Sequence, residues 1–88
     1  MIEETLKITN KHGLHARPAA HLVKIAGKFS SDVKIFKDGL EVNAKSIMGV
    51  MMLAAEPGSE VLLHIDGDDE QDAFVEIKDL FDKKFHEE

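Results

Sequence analysis

Lys11-His12-Gly13-Leu14-His15-Ala16-Arg17-Pro18-Ala19-Ala20 lies between a segment of strand periodicity and one of helical periodicity, and Pro18 sets where the change occurs. Proline fits a helix only in its first turn, where its missing N–H would have no intrahelical partner, so the helix begins close to His15 or Ala16. His15 then stands at or beside the N-cap. The first amide N–H groups and the positive end of the helix dipole face its imidazole, and Arg17 adds a permanent cation with a forked donor set. The stretch therefore reads as an anion site with a nucleophile inside it.

Upstream, Glu4-Thr5-Leu6-Lys7-Ile8-Thr9 alternates with Leu6 and Ile8 on one face, the pattern of a strand buried on one side. Asn10 to Leu14 is the intervening loop. Downstream of Ala16, the residues Ala19, Leu22, Val23 and Ala26 share one helical stripe, while Arg17, His21, Lys24 and Lys28 form a cationic ridge opposite, with Gly27 and Ser30-Ser31 closing the helix. Asp32 to Lys37 alternates again. Asp38-Gly39 follows as a two-residue hairpin signal, because both central positions of a type I′ turn need positive φ. Leu40, Val42 and Ala44 supply the return strand.

Ser46 precedes the apolar run Ile47-Met48-Gly49-Val50-Met51-Met52-Leu53-Ala54-Ala55 and is a good N-cap for a short helix stopped by Glu56-Pro57-Gly58. So short a helix cannot bury every side. Val50 and Leu53 are assigned inward, which leaves Ile47, Met48, Met51 and part of Met52 in or near solvent, where flexible, polarisable methionines suit a docking patch. A fourth strand over Glu60 to Asp66 turns Val61, Leu63 and Ile65 inward. Asp68 and Asp69 offer caps for a last helix running to about Phe85, with Ala73, Ile77, Leu80, Phe81 and Phe85 buried and Lys83 and Lys84 in its last turn.

The order β-α-β-β-α-β-α predicts an α+β fold of two layers, a four-stranded antiparallel sheet with three helices on one face. The other face, with Lys7, Lys34, Glu41 and His64, is expected to be wet. Strand order is not specified by this pattern, and a ferredoxin-like arrangement explains the first six elements equally well. At 88 residues, residues 1–88 are expected to make a single domain.

Charge is distributed unevenly. Residues 1–45 carry eight Lys/Arg against five Asp/Glu, whereas residues 46–88 carry three against twelve. The basic half favours an acidic or phosphorylated partner, while a pI near 5.3 and the lack of Tyr and Trp make nucleic acid a poor fit. Cysteine is absent, which excludes disulfides and thiolate metal sites. No apolar run is long enough to span a bilayer and no leader pattern opens the chain, so a soluble cytoplasmic protein without a membrane partner is expected. A His12/His15 metal pair has no third ligand at a regular spacing, and no metal or other cofactor is expected.

An imidazole titrates near neutral pH, at about 6.5 when unperturbed, and an exposed one is nucleophilic there. Phosphoryl transfer asks for little more than an in-line nucleophile with donors and cations on the equatorial oxygens. His15 with Arg17 supplies both kinds of group. On spacing alone two plainer readings stand beside this one: His15 as a solvated loop histidine, and Ser46 as only a cap.

Gly13-Leu14-His15-Ala16-Arg17-Pro18-Ala19, together with Lys45-Ser46-Ile47-Met48-Gly49-Val50-Met51, strongly resembles the HPr family, the histidine-containing phosphocarriers of the bacterial phosphoenolpyruvate-dependent phosphotransferase system. The resemblance covers the whole chain. It implies an open-faced β-sandwich, phosphorylation of His15 on Nδ1 by enzyme I, and transfer to A domains of enzyme II in sugar uptake, so that the chain is a carrier and not an enzyme, acting as a monomer. It further implies that Arg17 stabilises the phosphate and that Ile47, Met48 and Met51, with the ridge of His21, Lys24 and Lys28, form the docking surface. Ser46 matches the regulatory serine modified by an ATP-dependent HPr kinase/phosphorylase, which also makes a regulatory binding module that selects a transcriptional regulator an alternative. The Ile8-Thr9-Asn10-Lys11 approach and the Phe81 to Glu88 tail resemble the nitrogen-related paralogue, whose phosphate ends in regulation.

Overall fold

The computed structural model describes residues 1–86. Its elements are β1 (Ile2–Lys7), α1 (Ala16–Ala26), β2 (Asp32–Lys37), β3 (Leu40–Asn43), α2 (Ile47–Met52), β4 (Glu60–Asp66) and α3 (Glu70–Asp82), followed by a 3₁₀ turn over Lys84–His86. All strand pairs are antiparallel, in the order β1-β4-β2-β3. The two central strands are thus β4 and β2. A ferredoxin-like sheet would place β1 and β3 there, so the alternative left open by the element order is excluded.

The alternating strands bury what their period assigns. Val33 and Ile35 of β2, Val42 of β3, and Val61, Leu63 and Ile65 of β4 face the helices, where Leu22, Val50, Ile77 and Leu80 close over them. The hairpin turn has φ of 50° at Asp38 and 83° at Gly39, as a type I′ turn requires. Leu40 is the exception on its strand face. It sits beside the turn, beyond the helical layer, and stays exposed.

The outer face of the sheet is less uniformly wet than its charges imply. Lys34 lies 3.5 Å from Glu41, and His64 Nδ1 lies 3.5 Å from Glu3. Between these pairs Phe36 stacks on His64 at 6.3 Å, half-buried like Leu62 beside it in the register.

Four local expectations are corrected. Strand β1 runs from Ile2 to Lys7 and not to Thr9, because Ile8, although fully buried, exchanges hydrogen bonds with the 58–59 turn: its N–H donates to Ser59 and its carbonyl accepts from Gly58. Helix α2 ends at Met52, before the Glu56-Pro57-Gly58 stop. Leu53 caps it, and Ala54 takes a left-handed φ of 49°, which breaks the hydrogen-bond ladder. Helix α3 ends at Asp82. Lys84, Phe85 and His86 all have φ between 54° and 60°, a left-handed turn that swings Phe85 back into the core against Phe81, with ring centroids 4.8 Å apart. The i,i+4 spacing of those phenylalanines reads as helix, yet the second is buried by a turn. Lys83 is consequently the C-cap of α3 and Lys84 lies beyond it. Glu87 and Glu88 of the tail lie outside the described residues.

The fourth correction concerns Asp69. It occupies the N-cap position of α3, but its side chain makes no capping hydrogen bond. The carboxylate instead accepts from the backbone N–H groups of Ser30 and Ser31, both at 2.9 Å, and from the Ser31 hydroxyl, tying the start of α3 to the end of the α1–β2 loop. The Ser31 hydroxyl and these backbone donors hold its pKa down from 3.8 to about 2. A carboxylate depressed in the folded state contributes stability that is complete above its unfolded value near 4 and is lost as pH falls through the folded value near 2. Thermal melts of the parent and Asp69→Asn are expected to differ most above pH 4 and to converge as pH drops toward 2. A constant gap across that range would contradict the latch. At the same end of the sheet, the Met1 ammonium donates to Glu70 at 2.8 Å while Glu70 also accepts from the Gly67 N–H, which raises the amine's pKa and lowers the carboxyl's.

Candidate functional site

His15 is the N-cap residue of α1, with extended backbone at φ −86° and ψ −169°, and its imidazole makes no capping hydrogen bond. Pro18 has no N–H, and the Ala19 N–H is taken by the His15 carbonyl at 2.9 Å. The amides that helix geometry leaves open in the first turn are therefore those of Ala16 and Arg17, both in exposed residues that directly follow the imidazole. The acidic side chains that would oppose an anion are missing from this first turn.

The loop that delivers His15 is braced on the chain beyond α2. The buried Asn10 side chain donates to the Gly13 carbonyl at 2.8 Å, and the Leu14 N–H donates to the Ala55 carbonyl at 2.9 Å. Gly13, at φ 70°, packs so closely on Ala55 that a Cβ there would fall well inside contact distance of its carbonyl oxygen and 3.1 Å from Glu56 Cα. These contacts form an open cleft lined by His12, Leu14, His15, Met51, Ala54, Ala55 and Glu56.

Helices α1 and α2 pack side by side. Ser46 caps α2, its hydroxyl accepting from the Gly49 N–H at 3.1 Å, and it is exposed. Met48 is 72% exposed and Met52 67%, with Ile47 and Met51 at 41% and 43%, while Val50 and Leu53 face inward as their spacing predicts. Met51 also lines the His15 cleft, which joins the two helix starts in one surface.

The ridge on α1 is divided. Arg17 and Lys24 are exposed, but Lys28 forms an ion pair with Glu76 of α3. His21 is half-buried, with its ring 5.9 Å from that of His86. The far end of the ridge is thus engaged within the chain itself, and the exposed Arg17 and Lys24 lie nearer His15.

Sequence reasoning passed over Glu56, Asn10 and the bracing role of Gly13. Glu56 enters the cleft only because the 54–57 loop folds back onto residues 13 and 14, a contact across some forty residues that no local pattern announces. Among the described residues no group of three His, Asp or Glu side chains is placed to hold a metal ion, and no helix is long and apolar enough to cross a membrane.

A family model described as the PTS HPr component phosphorylation site matches residues 2–83. The chain belongs to the HPr family. Its HPr-type relatives include the phosphocarrier protein HPr of Xylella fastidiosa strain Temecula1, 49% identical over 88 residues and covering 100% of this chain and 99% of that protein. The crystal structure of HPr-C-His from Thermoanaerobacter tengcongensis is 52% identical, covers 100% of this chain and 99% of that one, and superposes with a TM-score of 0.96. The HPr-like protein Crh of Bacillus subtilis is 49% identical over 77 residues, covering 88% of this chain and 91% of that protein. The HPr-like open-faced sandwich expected from the motifs is therefore the fold of this chain.

Proposed function

We propose that residues 1–88 act as one phosphocarrier domain in which His15 receives a phosphoryl group from phospho-enzyme I, charged by phosphoenolpyruvate, and yields it to the A domain of an enzyme II in sugar uptake. The observation that carries this reading is the placement of an exposed imidazole at the N-cap of α1, uncommitted to capping, at the mouth of an open cleft. The N–P bond forms at Nδ1 as the bond to the donor breaks, and the reverse exchange hands the group on. Through both steps the Ala16 and Arg17 amides and the Arg17 guanidinium face the equatorial oxygens, where the charge sits. Ile47, Met48 and Met51 supply the apolar part of the docking surface, and Arg17 with Lys24 supplies its open positive edge, with His21 and Lys28 at its periphery.

Incubation with enzyme I and phosphoenolpyruvate is expected to add about 80 Da, one phosphoryl group, in an acid-labile, alkali-stable form. An unmodified chain would overturn the reading. Of the residues that resemble the nitrogen-related paralogue, Ile8, Asn10, Phe81 and Phe85 are buried and shape the loop and core, whereas Thr9 and Lys11 are exposed, so a regulatory acceptor for the phosphoryl group is the alternative to an enzyme II A domain.

Ser46 supports a regulatory reading beside the first, because its exposed hydroxyl stands at the start of the helix that presents Met48 and Met51. A phosphate there adds a charge of about −1.5 to −2 to the docking surface. Labelling with ATP and HPr kinase/phosphorylase is expected to weaken binding to enzyme I on the order of tenfold, about 1.4 kcal/mol. Equal affinity before and after labelling would leave Ser46 as a cap alone, while a transcriptional regulator that binds only the labelled form would extend its role.

A further inference from the structure

His12 has no part in the reading above, yet its ring stands edge-on to that of His15, with centroids 5.5 Å apart and planes at 80°. Both residues are exposed, and both line the cleft that Glu56 and Met51 complete. The position is fixed by backbone: His12 lies within the span that Asn10 closes on Gly13, and the next residues are pinned to Ala55. A phosphoryl oxygen stands two bonds out from the ring nitrogen that carries it, a reach comparable to the gap between the two rings. We propose that His12 is a proton-switched positioning residue for the phosphoryl group on His15: as an imidazolium it donates an N–H to a phosphoryl oxygen and balances its charge, and as a neutral imidazole it withdraws that charge. This rests on the phosphocarrier reading of His15.

The surroundings decide the sign. Glu56, from the loop after α2, lines the same cleft and carries a charge that opposes the phosphoryl anion. Lys11 beside His12 and Arg17 in the first turn of α1 are permanent cations, and Leu14, Met51, Ala54 and Ala55 bring no charge. Imidazole is the side chain whose charge changes between pH 5 and 8, so His12 is the neighbour through which pH acts on the phosphorylated form. A charge-assisted hydrogen bond to the oxygens of the resting phosphoryl group stabilises the ground state that spontaneous loss must leave, so the protonated ring prolongs the phosphorylated state. Linkage makes the effect reciprocal: a phosphoryl group held by the imidazolium must in turn favour protonation of His12.

The test uses phosphoramidate, which phosphorylates histidine without any partner protein, and follows each imidazole by NMR across pH 5 to 9. The His12 midpoint is expected to rise by about one unit when His15 is phosphorylated, while His64 on the far face of the sheet stays put. In His12→Gln the ratio of variant to parent rates of phosphoryl loss is expected to be about tenfold at pH 6 and near one at pH 8.5. A phosphorylated His15 with an unmoved His12 midpoint would overturn the inference and leave the phosphocarrier reading intact, as would a rate ratio that is the same at every pH. A chain whose His15 phosphoramidate leaves unmodified would overturn both.

Discussion

Replacing His15 by alanine is expected to abolish the phosphorylated form of the chain while moving its thermal midpoint by only a few degrees. The two effects separate because the side chain is exposed and makes no capping hydrogen bond, so its removal opens no cavity in the core. A surface change of this kind is worth about 0.5 kcal/mol or less, and a domain of this size shifts by roughly 4–8 °C per kcal/mol. Transfer is lost because alanine offers no nitrogen to form the N–P bond. Mass spectrometry after incubation with enzyme I and phosphoenolpyruvate should show no gain of about 80 Da. A residual adduct would place part of the chemistry on another residue, with His12 the first to examine.

Gly13→Ala is expected to cost stability and transfer together. The backbone there is left-handed, which costs a residue bearing a Cβ about 1–2 kcal/mol, and the new methyl would press on the Ala55 carbonyl and on Glu56 Cα. Overpacking against backbone adds typically 1–3 kcal/mol, so about 3 kcal/mol in all is expected, a fall of roughly 15 °C in Tm. The loop cannot relieve the clash without releasing the Leu14 hydrogen bond to Ala55, which carries His12 and His15 away from the cleft. A displacement of about 1 Å from the productive geometry can cost on the order of a hundredfold in rate. A calorimetric Tm within 5 °C of the parent, roughly 1 kcal/mol, would show that residues 13 and 55 are not in the contact described.

The two experiments probe different parts of the site. His15 was legible in the sequence because its placement follows from local sterics: Pro18 can stand only in a first turn, so the N-cap must lie close before it. Ser46 was legible for the same kind of reason, and its hydroxyl does accept from the Gly49 N–H. The brace beneath His15 was not legible, since the asparagine that closes the loop and the alanine that receives Leu14 are ordinary residues until they are brought together.

Local chemistry alone therefore determined the element types, the hairpin at Asp38-Gly39, the inward faces of the strands and both helix starts. Each depends on dihedral limits or on a period of two or about 3.6, which a short window of residues contains. Tertiary structure decided the order β1-β4-β2-β3, the capture of Asp69 by Ser31, the pairing of Lys28 with Glu76, the left-handed ending that buries Phe85, and the meeting of His12, His15 and Glu56 in one cleft. These depend on which distant surfaces bury together with their polar groups satisfied, and that choice is made between whole arrangements of the chain and not within any one segment of it.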